Sequence, residues 1–140
     1  MPRVPTDREE PRSAPPPDVG PSSIARGDVF WIAPEALGDP PGGPAHPHVV
    51  LQDDVLNRSR VETVVVCATT SNLGRATEPG NVLLDPGEGD LPRRSVLVVS
   101  QVLSVEKTRL GTYVGTLSPA RVDQALAGLR FQQASFFAGR

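Results

Sequence analysis

Apolar residues along this chain come in short β-branched and aromatic runs punctuated by glycine and proline, a pattern of many brief strands rather than long helices. The first run, Val29 to Ala33, predicts a strand opening just after Arg26-Gly27-Asp28. Val49-Val50-Leu51 and Thr63 to Ala68 predict the next two. In the second of these Val64, Val65 and Val66 stand side by side, as in a strand covered on both faces. Between them Gln52 to Arg58 predicts a short helical turn and loop, with Asp53 or Asp54 as its cap. Asn81 to Asp85 predicts a fourth strand and Ser95 to Val105 the longest. Strict alternation puts Val96, Val98, Ser100, Val102 and Ser104 on one face of it and Leu97, Val99, Gln101, Leu103 and Val105 on the other. Gln101 alone interrupts the second face, which predicts a buried, partnered amide or a subunit contact.

The remaining pattern is mixed. Glu106 to Leu110 predicts a helical turn and Tyr113-Val114-Gly115 a last short strand. Ser118 is a good helix cap with Pro119 at the first helical position, and Leu117 and Val122 fit a hydrophobic staple. Val122, Ala125, Leu126 and Leu129 keep helical spacing, and Phe131, Phe136 and Phe137 either extend that helix or cover a partner. Glu35 to Ala45 holds paired prolines and paired glycines and reads as a loop. Trp31, the single tryptophan, is expected as a core or interface anchor. Residues 1–23 are rich in proline and charge and nearly empty of large apolar groups, which predicts a disordered tail before one domain at 24–140. With no strand-helix-strand alternation, the expected fold is mainly β with a C-terminal helix, a small and strongly bent sheet or barrel.

Composition narrows the partners. A 140-residue chain with such a tail buries a core of little margin, so dimerisation is a natural supplement. The net charge of -2 provides no global basic field, so any nucleic-acid contact must come from a local patch. The single cysteine, Cys67, excludes an intrachain disulfide framework, fits a reducing compartment and is read as a small core residue. No apolar run reaches the length of a membrane span, and the N-terminus lacks a signal-peptide core, which together point to the cytoplasm.

Chemistry concentrates between Pro44 and Leu73. This stretch holds both histidines, the cysteine and the closing cluster Thr69-Thr70-Ser71-Asn72. His46 and His48 lack the further ligands of a zinc site, so neither metal nor cofactor is expected. The glycine-rich loop precedes no helix, which removes the usual phosphate-binding motifs, and Ser71 sits in no nucleophile elbow. What remains is acid-base chemistry. RNA cleavage of that kind uses the substrate's 2′-hydroxyl as nucleophile and needs a base, a proton donor for the leaving oxygen and donors to the charged phosphorane. His46 suits the base or acid role. His48, Thr70, Ser71 and Asn72 offer donors, and Arg75, Arg93 and Arg94 offer local positive charge. The same histidines also fit loop and strand-start residues satisfied by backbone.

In this order and spacing the residues resemble the MazF/PemK toxins of type II toxin-antitoxin systems. The match runs from Arg26 to about Leu129: Arg26-Gly27-Asp28-Val29, the glycine-rich loop, Pro47-His48-Val49-Val50-Leu51-Gln52-Asp53-Asp54 with Asn57, then Thr70-Ser71-Asn72-Leu73. Ser95-Val96 leading to Gln101, Lys107 with Arg109-Leu110, and Gly115-Thr116-Leu117-Ser118 complete it. The resemblance implies a compact SH3-like barrel, shared with the CcdB toxin type, and a homodimer. It implies cleavage of single-stranded mRNA at short sequences without metal, leaving 2′,3′-cyclic phosphate and 5′-hydroxyl ends, and a cognate antitoxin whose tail lies along the groove. It also implies an active-site arginine paired with a threonine. The threonine position is Thr70; the arginine position is His46. Arginine is always charged, whereas an unperturbed imidazole with a pKa of about 6.5 is mostly neutral in the cytoplasm. His46 and Thr70 are thus the expected catalytic pair, with His48, Ser71, Asn72, Arg75, Arg93 and Arg94 on the RNA. A non-catalytic relative binding RNA or protein in the same groove, and a gyrase-directed toxin, are the alternatives.

Overall fold

The computed structural model describes residues 23–138, with side chains through Ala134. The expected tail lies outside the described residues except for Ser23, as do the side chains of Phe136 and Phe137. Six strands form one antiparallel sheet: β1 (Asp28–Ile32), β2 (His46–Val50), β3 (Thr63–Thr70), β4 (Val82–Leu84), β5 (Ser95–Glu106) and β6 (Tyr113–Thr116), in the order β4-β5-β3-β2-β1-β6. Two helices complete it, the single turn α1 (Asp54–Asn57) and the long α2 (Pro119–Ala138). The mainly β fold with a C-terminal helix is as expected, and short 3-10 turns occupy several of the loops. The turn Glu88–Asp90 folds back from the β4 side of the sheet onto β6. There a Cβ on Gly115 would come within 2.5 Å of the Gly89 carbonyl oxygen, so only glycine permits this approach.

Each face of the sheet carries its own core. On one, Val29, Val49, Cys67, Val82, Leu84 and Leu97 pack under Val122 and Ala125 of α2. On the other, Phe30, Ile32, Val50, Val64, Val66 and Val105 pack with Ile24 and Leu110, and Ala36 and Leu37 close over them from the β1–β2 loop. Cys67 is buried in the first of these cores, as expected; burial pushes its thiol up to about 12, and it donates to the Val98 carbonyl at 3.3 Å. The α2 start also follows expectation. Ser118 Oγ accepts from the Arg121 N–H at 3.3 Å, and Leu117 and Val122 share one cluster. Further along, Gly128 rests against the Gly80 backbone with no room for a Cβ.

The strict alternation expected along β5 fails, for a local reason. The β3–β5 register jumps from Cys67↔Val102 to Ala68↔Val98, leaving Val99, Ser100 and Gln101 as a three-residue bulge. Three is an odd number, so the faces exchange beyond it. Val102 packs with the Leu97 cluster, while Leu103 and Val105 join the opposite one. Gln101, carried on the bulge, is exposed rather than buried with a partner. Of the two roles expected for Trp31, core or interface anchor, its 40% exposure is at odds with the core one only.

Candidate active site

Antiparallel pairing decides which polar residues meet. β2 starts, β3 ends, β5 starts and β4 ends at one end of the sheet, with His48 opposite Ala68, Thr70 opposite Val96 and Leu84 opposite Ser95. β2 opens at His46 and β3 closes at Thr70, so with the two strands paired antiparallel these residues stand at adjoining strand ends. The sheet therefore gathers the candidates from three loops along a single edge.

The local hydrogen bonds show how each is held. Thr69 Oγ1 donates to the Pro47 carbonyl at 2.8 Å, tying the two strand ends together. Sequence reasoning missed Thr69, and the only signal was Pro47, whose absent N–H deprives a facing strand of a ladder partner. Thr70 is half-buried, and its Oγ1 accepts from the Asn72 N–H at 3.1 Å, which leaves the hydroxyl proton free to donate. Asn72 Oδ1 accepts from the Gly74 N–H at 3.2 Å, so its amide NH₂ remains available. His46 and Ser71 are exposed and make no side-chain hydrogen bond among the described residues. The Ser95 hydroxyl donates to the Arg93 carbonyl at 3.0 Å, fixing the turn from which Arg93 and Arg94 project.

Other candidates are placed differently. His48 is only 3% exposed, and its Nδ1 bonds the His46 carbonyl oxygen at 3.0 Å. Burial lowers its pKa below the usual imidazole value, the bond to the His46 carbonyl opposing this, so burial favours the neutral ring. A direct contact from His48 to RNA is thereby excluded in this conformation. Arg75 is engaged as well: its Nε and NH2 donate to the two Glu78 carboxylate oxygens, each at 3.0 Å. Asn81 braces the same loop, its Nδ2 donating to the Arg75 carbonyl and its Oδ1 accepting from Val99 N–H, both at 3.0 Å. Arg94 lies 3.7 Å from Asp85, a loose surface pair, and Arg93 has no ion-pair partner among the described residues. An open cavity of about 320 Å³ between Glu78, Pro79, Asn81, Phe131 and Gln132 is lined by none of the candidates. Among the described residues no three His, Cys, Asp or Glu side chains cluster as metal ligands, and no helix is long and apolar enough to cross a membrane. Chemically, the edge offers an exposed imidazole, a hydroxyl with its proton free, an amide and one unpaired guanidinium.

Comparison with known proteins bears on this edge. The family described as PemK-like, MazF-like toxin of type II toxin-antitoxin system matches residues 25–132. Endoribonuclease MazF6 of Mycobacterium tuberculosis is 37% identical over 110 residues, covering 76% of this chain and 94% of that protein. Endoribonuclease EndoA of Bacillus subtilis is 32% identical over 108 residues, covering 74% and 90%. Among solved structures, a mycobacterial endoribonuclease in complex with its cognate antitoxin superposes with a TM-score of 0.64 at 22% identity, covering 79% of this chain and 95% of that one. MazF from Deinococcus radiodurans superposes with a TM-score of 0.63 at 16% identity, covering 79% and 96%. At those identities the structures speak for the fold.

Proposed function

The chain belongs to the PemK-like, MazF-like toxins of type II toxin-antitoxin systems, and on that premise we propose that it is an endoribonuclease cutting single-stranded mRNA at short sequences with His46 and Thr70. The observation that carries this reading is the strand register, which sets an exposed imidazole and a hydroxyl with a free proton on adjoining strand ends. In the proposed step His46 removes the 2′-hydroxyl proton. The 2′ oxygen bonds to phosphorus, the bond from phosphorus to the 5′ oxygen breaks, and that oxygen takes a proton from water. Thr70 and Asn72 donate to the phosphorane oxygens where charge develops. Arg93 and Arg94 draw the strand in and Ser71 contacts it, while Arg75 shapes the loop through Glu78. The products carry 2′,3′-cyclic phosphate and 5′-hydroxyl ends, and no metal takes part.

The partners follow from the same premise: a cytoplasmic homodimer held inactive by a cognate antitoxin, as the mycobacterial relative is bound to its own. End-group analysis of RNA cut by the purified protein tests the chemistry. The expected result is cyclic-phosphate ends at a rate unchanged by EDTA. Ends bearing 5′-phosphate, or cleavage abolished by EDTA, overturn it. Saturable RNA binding without cleavage, or trapping of DNA gyrase in a supercoiling assay, would move the chain to a binding or gyrase-directed role.

A further inference from the structure

Among the described residues His48 is the most deeply buried polar group beside this edge, and cleavage itself does not explain it. Its bond to the His46 carbonyl at 3.0 Å fixes the tautomer: a carbonyl only accepts, so Nδ1 carries the proton and Nε2 is a bare acceptor. Among the described residues nothing donates to Nε2, although the ring is 3% exposed and lies between Phe30 of β1 and Ala68 of β3. A half-satisfied imidazole in such a position opposes stability, and a valine like the adjoining Val49 and Val50 would suit the strand better. The bond it does make grips the residue two positions ahead, where Pro47 supplies no N–H to hold the chain and β2 runs out into the loop.

We propose that His48 is a positioning residue for His46: its buried ring fixes the His46 backbone, and with it the direction from which the catalytic imidazole meets the RNA. The inference rests on the endoribonuclease reading for its consequence but not for its geometry. Misplacing a catalytic group by a fraction of an ångström slows the reaction without weakening substrate binding. His48→Val removes the bond and also the unpartnered Nε2, so stability and rate move in opposite directions. His48→Asn puts an amide N–H near the place of Nδ1 and restores the bond.

The test joins kinetics, melting and imidazole NMR on the full chain, in which His46 and His48 are the only histidines. His48→Val is expected to melt no lower than wild type, to lose ~10-fold in kcat at unchanged KM and to shift the His46 ring signals. His48→Asn is expected to recover most of the rate and the wild-type His46 signals. A His48→Val protein with wild-type kcat overturns the proposal, as does one whose rate and melting temperature fall together without recovery in His48→Asn. If the wild type cuts no RNA, the endoribonuclease reading fails by itself, and the His46 ring signals decide the positioning role: unmoved in His48→Val, they refute it.

Discussion

The two ends of this sheet use polar residues in opposite ways. At the end holding the start of β1 and the close of β2, polar groups satisfy one another. Asn57 Nδ2 donates to the Gln52 carbonyl at 2.9 Å and to Asp54 Oδ1 at 3.0 Å, and its Oδ1 accepts from Gln52 Nε2 at 3.0 Å. Asp54 Oδ1 also accepts the Arg26 N–H at 2.7 Å, which with Asn57 holds its carboxyl below the usual range. Lys107 Nζ caps α1 through the carbonyls of Leu56, Asn57 and Ser59 at 3.0–3.2 Å. At the other end His46, Ser71 and Arg93 keep their hydrogen-bonding capacity, and Thr70 keeps its proton. A closed network fixes the chain, whereas an open set of donors is competent to meet a phosphate. Gln52, Asp54, Asn57 and Lys107, prominent in the sequence, thus belong to the frame rather than to the chemistry.

Substitutions at the two ends should separate activity from stability. Thr70→Ala, at the open end, is expected to lower kcat by ~10²-fold and to leave the melting temperature nearly unchanged, as steady-state cleavage and calorimetry would show. Asn57→Ala, at the closed end, should do the reverse. Its loss strands Gln52 and Asp54, for about 2–3 kcal/mol of destabilisation in urea titration, while the folded fraction cleaves at the normal rate. If Asn57→Ala instead slows cleavage at full folding, the division between the ends is wrong.

Much of this contrast was legible in the sequence, and the reasons for the remainder are physical. Strand runs, the Ser118–Pro119 helix start and Cys67 in the core follow from local pattern, because burial of β-branched runs and helix capping are decided within a few residues. The face exchange in β5 is not so decided: it arises where Val99–Gln101 leave the ladder and Asn81 takes the Val99 N–H, a contact 18 positions away in sequence. His48 shows the same limit. The family resemblance set it on the RNA, but as a residue of β2 between β1 and β3 it is buried, and strand order is a tertiary fact. Arg75 read as a phosphate ligand because sequence shows a charge and not the Glu78 carboxylate that takes up its fork. That His46 and Thr70 come to adjoining strand ends follows from the antiparallel pairing of β2 with β3, which sequence runs alone suggest.

Smaller effects sharpen the contrast within the open end. Arg93→Ala should weaken binding of a single-stranded RNA ~3-fold and reduce the salt dependence by about 0.7 of a released counterion. Arg75→Ala, whose charge Glu78 already offsets, should change both less; equal effects would show that RNA displaces Glu78. Acid should loosen the fold through His48. Its folded pKa lies below the unfolded 6.5, so the unfolded chain binds more protons as pH falls through that value, and stability drops. Asp28 has the opposite sign: burial raises its pKa above 3.8, so its contribution is lost as pH rises through the folded value. Melting between pH 7.5 and 5.5 should therefore decline in the wild type and decline less in His48→Val.

The central claim is that the open end cuts RNA through His46. Single-turnover cleavage of a single-stranded RNA by His46→Ala, beside wild type of equal melting temperature, tests it most directly. The account predicts a rate reduced by ~10²–10⁴-fold, with RNA still bound. Cleavage by His46→Ala at the wild-type rate would contradict it.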